Sequence, residues 1–123
     1  MDVEVIGSAA LPPVEVERLA ALAAASAGIE DAHLAVTFVS GERIAELNEQ
    51  FRAKQGPTDV LSFPVDEGGE AFGPRELGDV FIAPDYTVDL REAVVHGVLH
   101  LVGMDHETDD GEMLALQAEI LSW

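Results

Sequence analysis

The chain has 123 residues, which fits a single domain, and 48% of them are hydrophobic, which is enough for a buried core. Its 24 acidic residues against 6 basic ones give a formal net charge of −18, the opposite of the basic surface typical of nucleic-acid-binding proteins. Because the chain contains no cysteine, disulfides, thiolate nucleophiles and cysteine-ligated metal sites are excluded.

Features of membrane insertion and of export are also missing. The longest apolar stretch, Leu19 to Ala25, is much shorter than the ~18–20 residues that a membrane span needs. The first residues, Met1 to Glu4, contain no basic region of the kind that begins a secretory signal. We therefore expect a soluble, cytoplasmic protein with no membrane partner.

Hydrophobic periodicity predicts secondary structure in the order β-α-β-α-β-β-α-α. The predicted strands cover residues 2–6, 33–39, 59–65 and 78–83, and the predicted helices cover residues 11–27, 42–51, 90–102 and, after a cap at Thr108, a segment to about Leu121. Pro12 suits a first helical turn, Ser40 can cap the second helix, and Gly28 can end the first. The stretch at residues 66–78, which contains four glycines, is predicted to be a loop.

This order predicts an α+β (mixed α/β) domain, in which a small mixed sheet of about four strands is packed by helices. The predicted helix at residues 90–102 is apolar nearly all round, which indicates a central position in the fold. Its histidines would then lie inside the domain or on the wall of a cleft.

Three of the four histidines lie within eleven residues, at the spacing H-x3-H-x5-H. His96 and His100 are one helical turn apart and can converge on one ion. Gly103 can adopt a left-handed conformation that turns the chain and brings His106 back as a third ligand. Three imidazoles with one open position are the coordination of a catalytic zinc ion, so the pattern predicts a zinc site. His33 stands alone at a strand start and is expected to be structural.

The same spacing occurs in the metzincin proteases, H-E-x-x-H-x-x-G-x-x-H, whose glutamate acts as general base. Gly97 occupies that position here, so peptide hydrolysis by that mechanism is disfavoured. Glu92, one turn before His96, either orients a ligand imidazole through a hydrogen bond or is a solvated glutamate favoured at a helix start. The sequence does not decide between these two roles.

Four segments form a combined motif: LNEQFRAK at residues 47–54, PTDVLSFP at 57–64, GDV at 78–80 and HGVLHLVGMDH at 96–106. Together they resemble the YbeY family of bacterial rRNA maturation factors. The resemblance implies a single YbeY-like metal hydrolase domain over residues 1–123. Its implied function is that of a zinc-dependent, single-strand-specific endoribonuclease in small-subunit rRNA 3′-end maturation and ribosome quality control. The implied cofactor is one zinc ion per chain. The implied partners are single-stranded rRNA and the small ribosomal subunit or its proteins, and no DNA is expected.

The resemblance also implies roles for individual residues. The zinc ligands implied by position are His96, His100 and His106. Arg52 matches a catalytic arginine, and its guanidinium can bind a phosphate through two hydrogen bonds. Lys54 either adds a second phosphate contact or is a solvated surface lysine, and Asp79 is either a proton-transfer candidate or a strand-end cap. Three polar residues of the second segment either bind a ligand or organise the turn: Thr58, Asp59 and Ser62.

The chain departs from the family in two ways. The stretch between the GDV motif and the zinc helix is shorter than usual, so a helical segment beside the cleft is expected to be reduced or missing. In addition, only Arg52 and Lys54 obviously supply positive charge for a phosphate backbone. We therefore expect weak RNA affinity that depends strongly on salt, on Mg²⁺ or on a ribosomal partner.

Two alternatives stay open at this point. One is a metal hydrolase that acts on another substrate. The other is a non-catalytic ribosome-assembly factor whose zinc is structural, a function that the acidic surface favours because ribosomal proteins are basic.

Overall fold

A computed structural model describes residues 2–29, 31–52, 56, 58–65, 75–103 and 111–122. In these ranges the strands are β1 (Asp2–Ile6), β2 (Ala32–Phe38), β3 (Val60–Pro64) and β4 (Arg75–Ile82). The helices are α1 (Pro13–Ser26), α2 (Gly41–Arg52), α3 (Leu90–Leu101) and α4 (Glu112–Leu121), and a 3-10 turn at Pro84–Tyr86 precedes α3. The predicted order of strands and helices is confirmed.

The four strands form one mixed sheet in the order β1-β2-β4-β3. β1, β2 and β4 run parallel, and β3 pairs antiparallel with β4 at the edge. β2 is buried along most of its length, as expected for an interior strand whose residues, apart from His33, are apolar or β-branched. The predicted α+β fold with a small mixed sheet is therefore confirmed.

Side chains alternate between the two faces of this sheet, and each face has its own apolar cluster. The larger cluster joins the sheet to α1, α3 and α4, and includes Leu34, Val80 and Ile82. The smaller cluster joins α2 to the other face near β3, through Ile44 and Leu61 among others. The position of α3 at the centre of the larger cluster confirms the prediction of a central helix.

Close packing places α3 directly on the sheet. A Cβ atom on Gly97 would lie 2.5 Å from Cγ1 of Val80 and 3.1 Å from Cγ2 of Val60. The hydroxyl of Ser62 on β3 donates a hydrogen bond to the carbonyl oxygen of Gly97 at 2.8 Å. Gly97 is thus a point of close contact between α3 and the strands. This contact fixes the position of the neighbouring helix residue His96 relative to the sheet.

Two predicted boundaries are confirmed by their hydrogen bonds. The Ser40 hydroxyl accepts from the backbone N–H of Arg43 at 3.1 Å and caps α2. Gly28 has φ of 83°, and the N–H of Ile29 beyond it bonds the carbonyl of Ala24, which closes the C-terminus of α1.

Two other boundaries were predicted wrongly. The loop predicted at residues 66–78 is wrong at its end, because β4 already begins at Arg75 and pairs there with Ala32 of β2. Burial of Leu77 and pairing with two strands outweigh the glycine content of the segment. The last helix begins at Glu112, with Gly111 at its N-cap, rather than after Thr108, which lies outside the described residues.

None of the helices in the described part of the chain has the length and apolar character that a bilayer crossing requires.

Candidate metal centre

Two histidines of α3 face each other across one helical turn. Nε2 of His96 and Nε2 of His100 are 3.1 Å apart, and the two rings meet edge to face with centroids 4.7 Å apart. Both side chains are half-buried, whereas the residues between them are buried. With Zn–N bonds of ~2.0–2.1 Å in a tetrahedron, two ligand nitrogens lie about 3.3–3.4 Å apart. The spacing of the two nitrogens therefore fits a shared zinc ion.

The orientation of the His96 ring is fixed from the other side. Nδ1 of His96 lies 2.8 Å from the amide oxygen Oε1 of Gln117 on α4. An amide oxygen only accepts hydrogen bonds, so Nδ1 carries the proton. In the neutral ring Nε2 then holds a lone pair, and this lone pair points toward His100.

Sequence reasoning missed Gln117. The signal available was a polar residue in the buried stripe of α4, where Met113, Gln117 and Ile120 follow one another at helical spacing. Gln117 is only 7% exposed, so its amide needs a partner within the protein. That partner is His96, 21 residues earlier in the chain, a contact that only the packing of α4 on α3 creates.

The predicted turn after the two histidines is present. Gly103 has φ of 98°, and its N–H donates to the carbonyl of His100 at 3.1 Å. His106 itself lies outside the described residues. Within the ranges that are described, no three histidine or carboxylate side chains are grouped as a metal site would require. A third protein ligand would have to come from elsewhere in the chain.

A pocket of about 240 Å³ opens beside His96. Its lining includes three carboxylates and one aromatic ring: Asp59, Asp89, Glu92 and Tyr86. Asp89 caps α3 by accepting from the N–H groups of Arg91 and Glu92 at 3.0 and 3.2 Å. Asp59 accepts from the N–H of Val60 at 2.9 Å at the start of β3. Glu92 shares the pocket with His96, but the hydrogen bond from Nδ1 of His96 goes to Gln117.

Asp79 is not brought to the histidines. It is next to Val80 in β4, and Val80 packs against Gly97 of α3, so Asp79 lies on the opposite face of the sheet. Partial burial, and then the nearby carboxylate of Glu76, raise the pKa of Asp79, while His33 acts in the opposite direction. The strand register thus separates this carboxylate from the site in which proton transfer was predicted.

His33 is part of the same separate group. Its Nδ1 lies 2.6 Å from a carboxylate oxygen of Glu76 on β4, and its Nε2 lies 3.8 Å from Glu4 on β1. This arrangement joins three strands by charge, which agrees with the structural role predicted for His33.

The basic residues of the predicted site are only partly described. Arg52 is the last residue of α2, but its side chain, like all of Lys54, lies outside the described residues. Of the three polar residues in the second motif, Asp59 and Ser62 hold the start of β3 and its contact with α3 through the bonds given above. The hydroxyl of Thr58 donates a long hydrogen bond, 3.4 Å, to the carboxylate oxygen Oδ1 of Asp59.

The model of the family described as endoribonuclease YbeY matches residues 14–123. The chain belongs to this family. It is 39% identical to Endoribonuclease YbeY of Bacillus velezensis and of Bacillus subtilis, in each case over 87% of this chain and 82% of the relative. Endoribonuclease YbeY of Azorhizobium caulinodans is 37% identical over 99% of this chain and 91% of the relative. The predicted family and its enzyme class, a hydrolase that acts on RNA, are confirmed.

A solved structure supports the fold. The solution structure of a Thermotoga maritima protein superposes with a TM-score of 0.57 and 28% identity, over 98% of this chain and 87% of that chain. The alignment with the Azorhizobium YbeY runs over 145 positions, more than the 123 residues of this chain, so this chain carries gaps relative to that YbeY.

The connection between β4 and α3 forms part of the candidate site in this YbeY chain. Residues 83–89 join the two elements, and they contain one 3-10 turn at Pro84–Tyr86. Several of these residues line the pocket beside His96, and Tyr86 and Val88 are strongly exposed. The short connection therefore forms one wall of the site.

Proposed function

We propose that this YbeY chain is a zinc-dependent endoribonuclease that cleaves single-stranded RNA, in small-subunit rRNA 3′-end maturation and ribosome quality control. The observation that carries the zinc proposal is the facing pair of Nε2 atoms of His96 and His100, 3.1 Å apart. Family membership supports the reaction class. We also assign the protein to the cytoplasm and the whole chain to one catalytic domain.

Within this proposal His96, His100 and His106 hold one zinc ion. Zinc, when bound, supplies a Lewis acid that lowers the pKa of water and polarises a phosphoryl oxygen. Arg52 binds the scissile phosphate, to which a guanidinium can donate two charge-assisted hydrogen bonds. Lys54 follows closely in sequence and adds a second positive charge for the RNA backbone.

The net charge of −18 affects the binding of RNA by such an enzyme. Long-range repulsion opposes the approach of a polyanion, and screening by salt or Mg²⁺ relieves it. A ribosomal partner rich in lysine and arginine would relieve it as well. We therefore propose the small ribosomal subunit or its proteins as the setting in which cleavage occurs.

The decisive experiment is cleavage of single-stranded RNA with an rRNA-like sequence by purified protein of known zinc content. His100→Ala and Arg52→Ala are expected to abolish cleavage while circular dichroism shows a preserved fold. Matched controls are His33→Ala, a histidine on the other face of the sheet, and Arg43→Ala, an exposed arginine of the same helix as Arg52. Both control variants are expected to cleave at the parent's rate.

The same net charge favours a second candidate, a non-catalytic ribosome-assembly factor with a structural zinc ion. Zinc content does not separate the two, because both bind the metal. Zinc-loaded protein that leaves RNA uncut, yet binds small-subunit particles, would favour the assembly factor. Cleavage of small phosphoesters but not of RNA would instead indicate a metal hydrolase with another substrate.

A further inference from the structure

The inference concerns Gln117, a residue of α4 to which the motifs of the family assigned no role. Its side chain is 7% exposed and lies in the apolar contact between α4 and α3. Its amide oxygen meets Nδ1 of His96 at 2.8 Å. In the parts of the chain that the structure describes, every buried side-chain nitrogen and oxygen has a hydrogen-bond partner, so this contact belongs to a satisfied interior.

An imidazole can bind a metal through Nε2 only when Nε2 carries no proton. Free histidine distributes its proton over both nitrogens, and a hydrogen bond to one nitrogen fixes the tautomer. The amide oxygen of Gln117 accepts a proton only from Nδ1, which leaves the Nε2 lone pair of His96 directed at His100. The glutamine also fixes the rotation of the ring about its Cβ–Cγ bond.

A glutamine at this position has a cost that an apolar residue would avoid. Burying an amide is unfavourable unless a partner satisfies it, and the neighbours of Gln117 in the buried stripe, Met113 and Ile120, are apolar. An apolar side chain would fill the space but would leave Nδ1 of His96 with no acceptor from α4. The geometry is therefore that of an outer partner of a metal-binding histidine.

We propose that Gln117 is the positioning residue of the zinc site: it holds His96 as the tautomer with the proton on Nδ1 and presents Nε2 to the ion. This inference rests on the zinc site of the proposed function. It also couples α4 to α3, because the packing of α4 on α3 places Gln117 against His96 and so affects how tightly His96 binds zinc.

The test measures zinc affinity of the folded, full-length protein by competition with a chromophoric chelator, with no RNA present. Gln117→Leu, which keeps the bulk and removes the acceptor, is expected to weaken zinc binding by about 10–100-fold. Gln117→Glu keeps an acceptor oxygen and is expected to stay within a few-fold of the parent. Ile120→Val, in the same buried stripe, is the control: its thermal stability falls while its zinc affinity stays unchanged.

The tautomer gives a second readout that needs no zinc. In long-range ¹H–¹⁵N spectra of the metal-free parent, His96 is expected in the form protonated on Nδ1, and Gln117→Leu is expected to show a mixture. A proton on Nε2 of His96 in the parent overturns the inference. If Gln117→Leu does not fold, Gln117→Met replaces it, because methionine also fills the site without an amide acceptor.

The outcomes separate this inference from the proposed function. Equal zinc affinity in the parent and in Gln117→Leu overturns the role of Gln117 and leaves the zinc site standing. A parent that binds no zinc overturns the zinc site and the inference together. The inference is supported if zinc affinity falls in Gln117→Leu but is kept in Gln117→Glu and in Ile120→Val. This result does not depend on which RNA is the substrate.

Discussion

Gly97 of α3 and Val80 of β4 are in such close contact that a Cβ atom on Gly97 would lie 2.5 Å from Cγ1 of Val80. The metzincin proteases carry their glutamate at the position of Gly97 in the equivalent histidine spacing. In this chain that position packs against the sheet, while His96 and His100 on either side of it are half-buried. A side chain at this position would force α3 or Val80 to shift, and glycine itself carries no base, so a general base for this site has to come from another position.

This contact predicts that Gly97→Ala destabilises the protein. The added methyl group overpacks the contact with Val80, at a cost of about 1–3 kcal/mol, whereas alanine gains about 1 kcal/mol of helix propensity over glycine. We expect a net loss of about 1 kcal/mol in the free energy of unfolding, measured by urea denaturation.

A double-mutant cycle gives the control for this prediction. Val80→Ala removes the methyl groups that the new Cβ would meet, so the double variant is expected to be more stable than the sum of the two single losses implies. Strict additivity would show that the contact between Gly97 and Val80 is not the cause.

The shifted pKa of His33 predicts that the stability of the protein depends on pH. The hydrogen bond that the His33 ring donates to the Glu76 carboxylate raises the pKa of His33 against a smaller opposing effect of burial, and the charges of Glu76, Asp2 and Glu4 raise it further. Because the folded pKa is above the unfolded value of ~6.5, the stabilisation is fully present below that pH. It is lost as the pH rises through the folded pKa.

The measurement is the free energy of unfolding of the parent and of His33→Gln between about pH 5 and pH 9. The parent is expected to be more stable by less than about 1 kcal/mol at the acidic end, since the pair is partly exposed, with the difference vanishing at the alkaline end. Glu76→Gln should remove most of the same difference. A parent-to-variant difference that does not change with pH would contradict the assignment.

The N-cap of the histidine helix provides a third prediction. Asp89 accepts hydrogen bonds from two N–H groups at the start of α3, the helix on which His96 lies. Asp89→Ala is expected to cost about 0.5–2 kcal/mol of stability. Because fraying of the first turns disturbs His96, zinc affinity is expected to fall as well.

Ser40→Ala is the matched control, since it removes the cap of α2 and leaves α3 intact. A comparable loss of stability with unchanged zinc affinity is expected from this variant. If both cap variants lowered zinc affinity equally, the effect would reflect general destabilisation rather than the start of α3.

The sequence predicts local structure well and tertiary neighbours poorly. Ser40 and Gly28 mark helix ends because the hydrogen bonds and dihedral angles concerned lie within a few residues of each other. The pairing of His96 with His100 is equally local and equally predictable, because helical spacing alone brings their rings together. The start of β4 was missed because its pairing with β2 and β3 is non-local and outweighs the local glycine signal.

Gln117 and Asp79 show the same limit. The 3.1 Å spacing of the histidine nitrogens follows from one helix, whereas the bond from His96 to Gln117 requires that α4 dock on α3. Asp79 belongs to a motif of the family, but its distance from the site depends on which face of β4 α3 covers. Alternation along the strand predicts that neighbours face opposite ways and does not predict which face carries the helix.

The last prediction is that zinc stabilises the folded chain through His96 and His100. A ligand that binds only the folded state adds RT ln(1 + [L]/Kd), about 2.7 kcal/mol at a free zinc concentration 100 times Kd. We expect the melting temperature of the metal-free protein to rise as zinc is added and to return when a chelator removes it. His100→Ala is expected to lose this response, because one of the two facing nitrogens is gone, whereas His33→Ala keeps it. A rise of equal size in His100→Ala would mean that zinc binds elsewhere, for example among the many carboxylates of this acidic chain, and would remove the support for the site on α3.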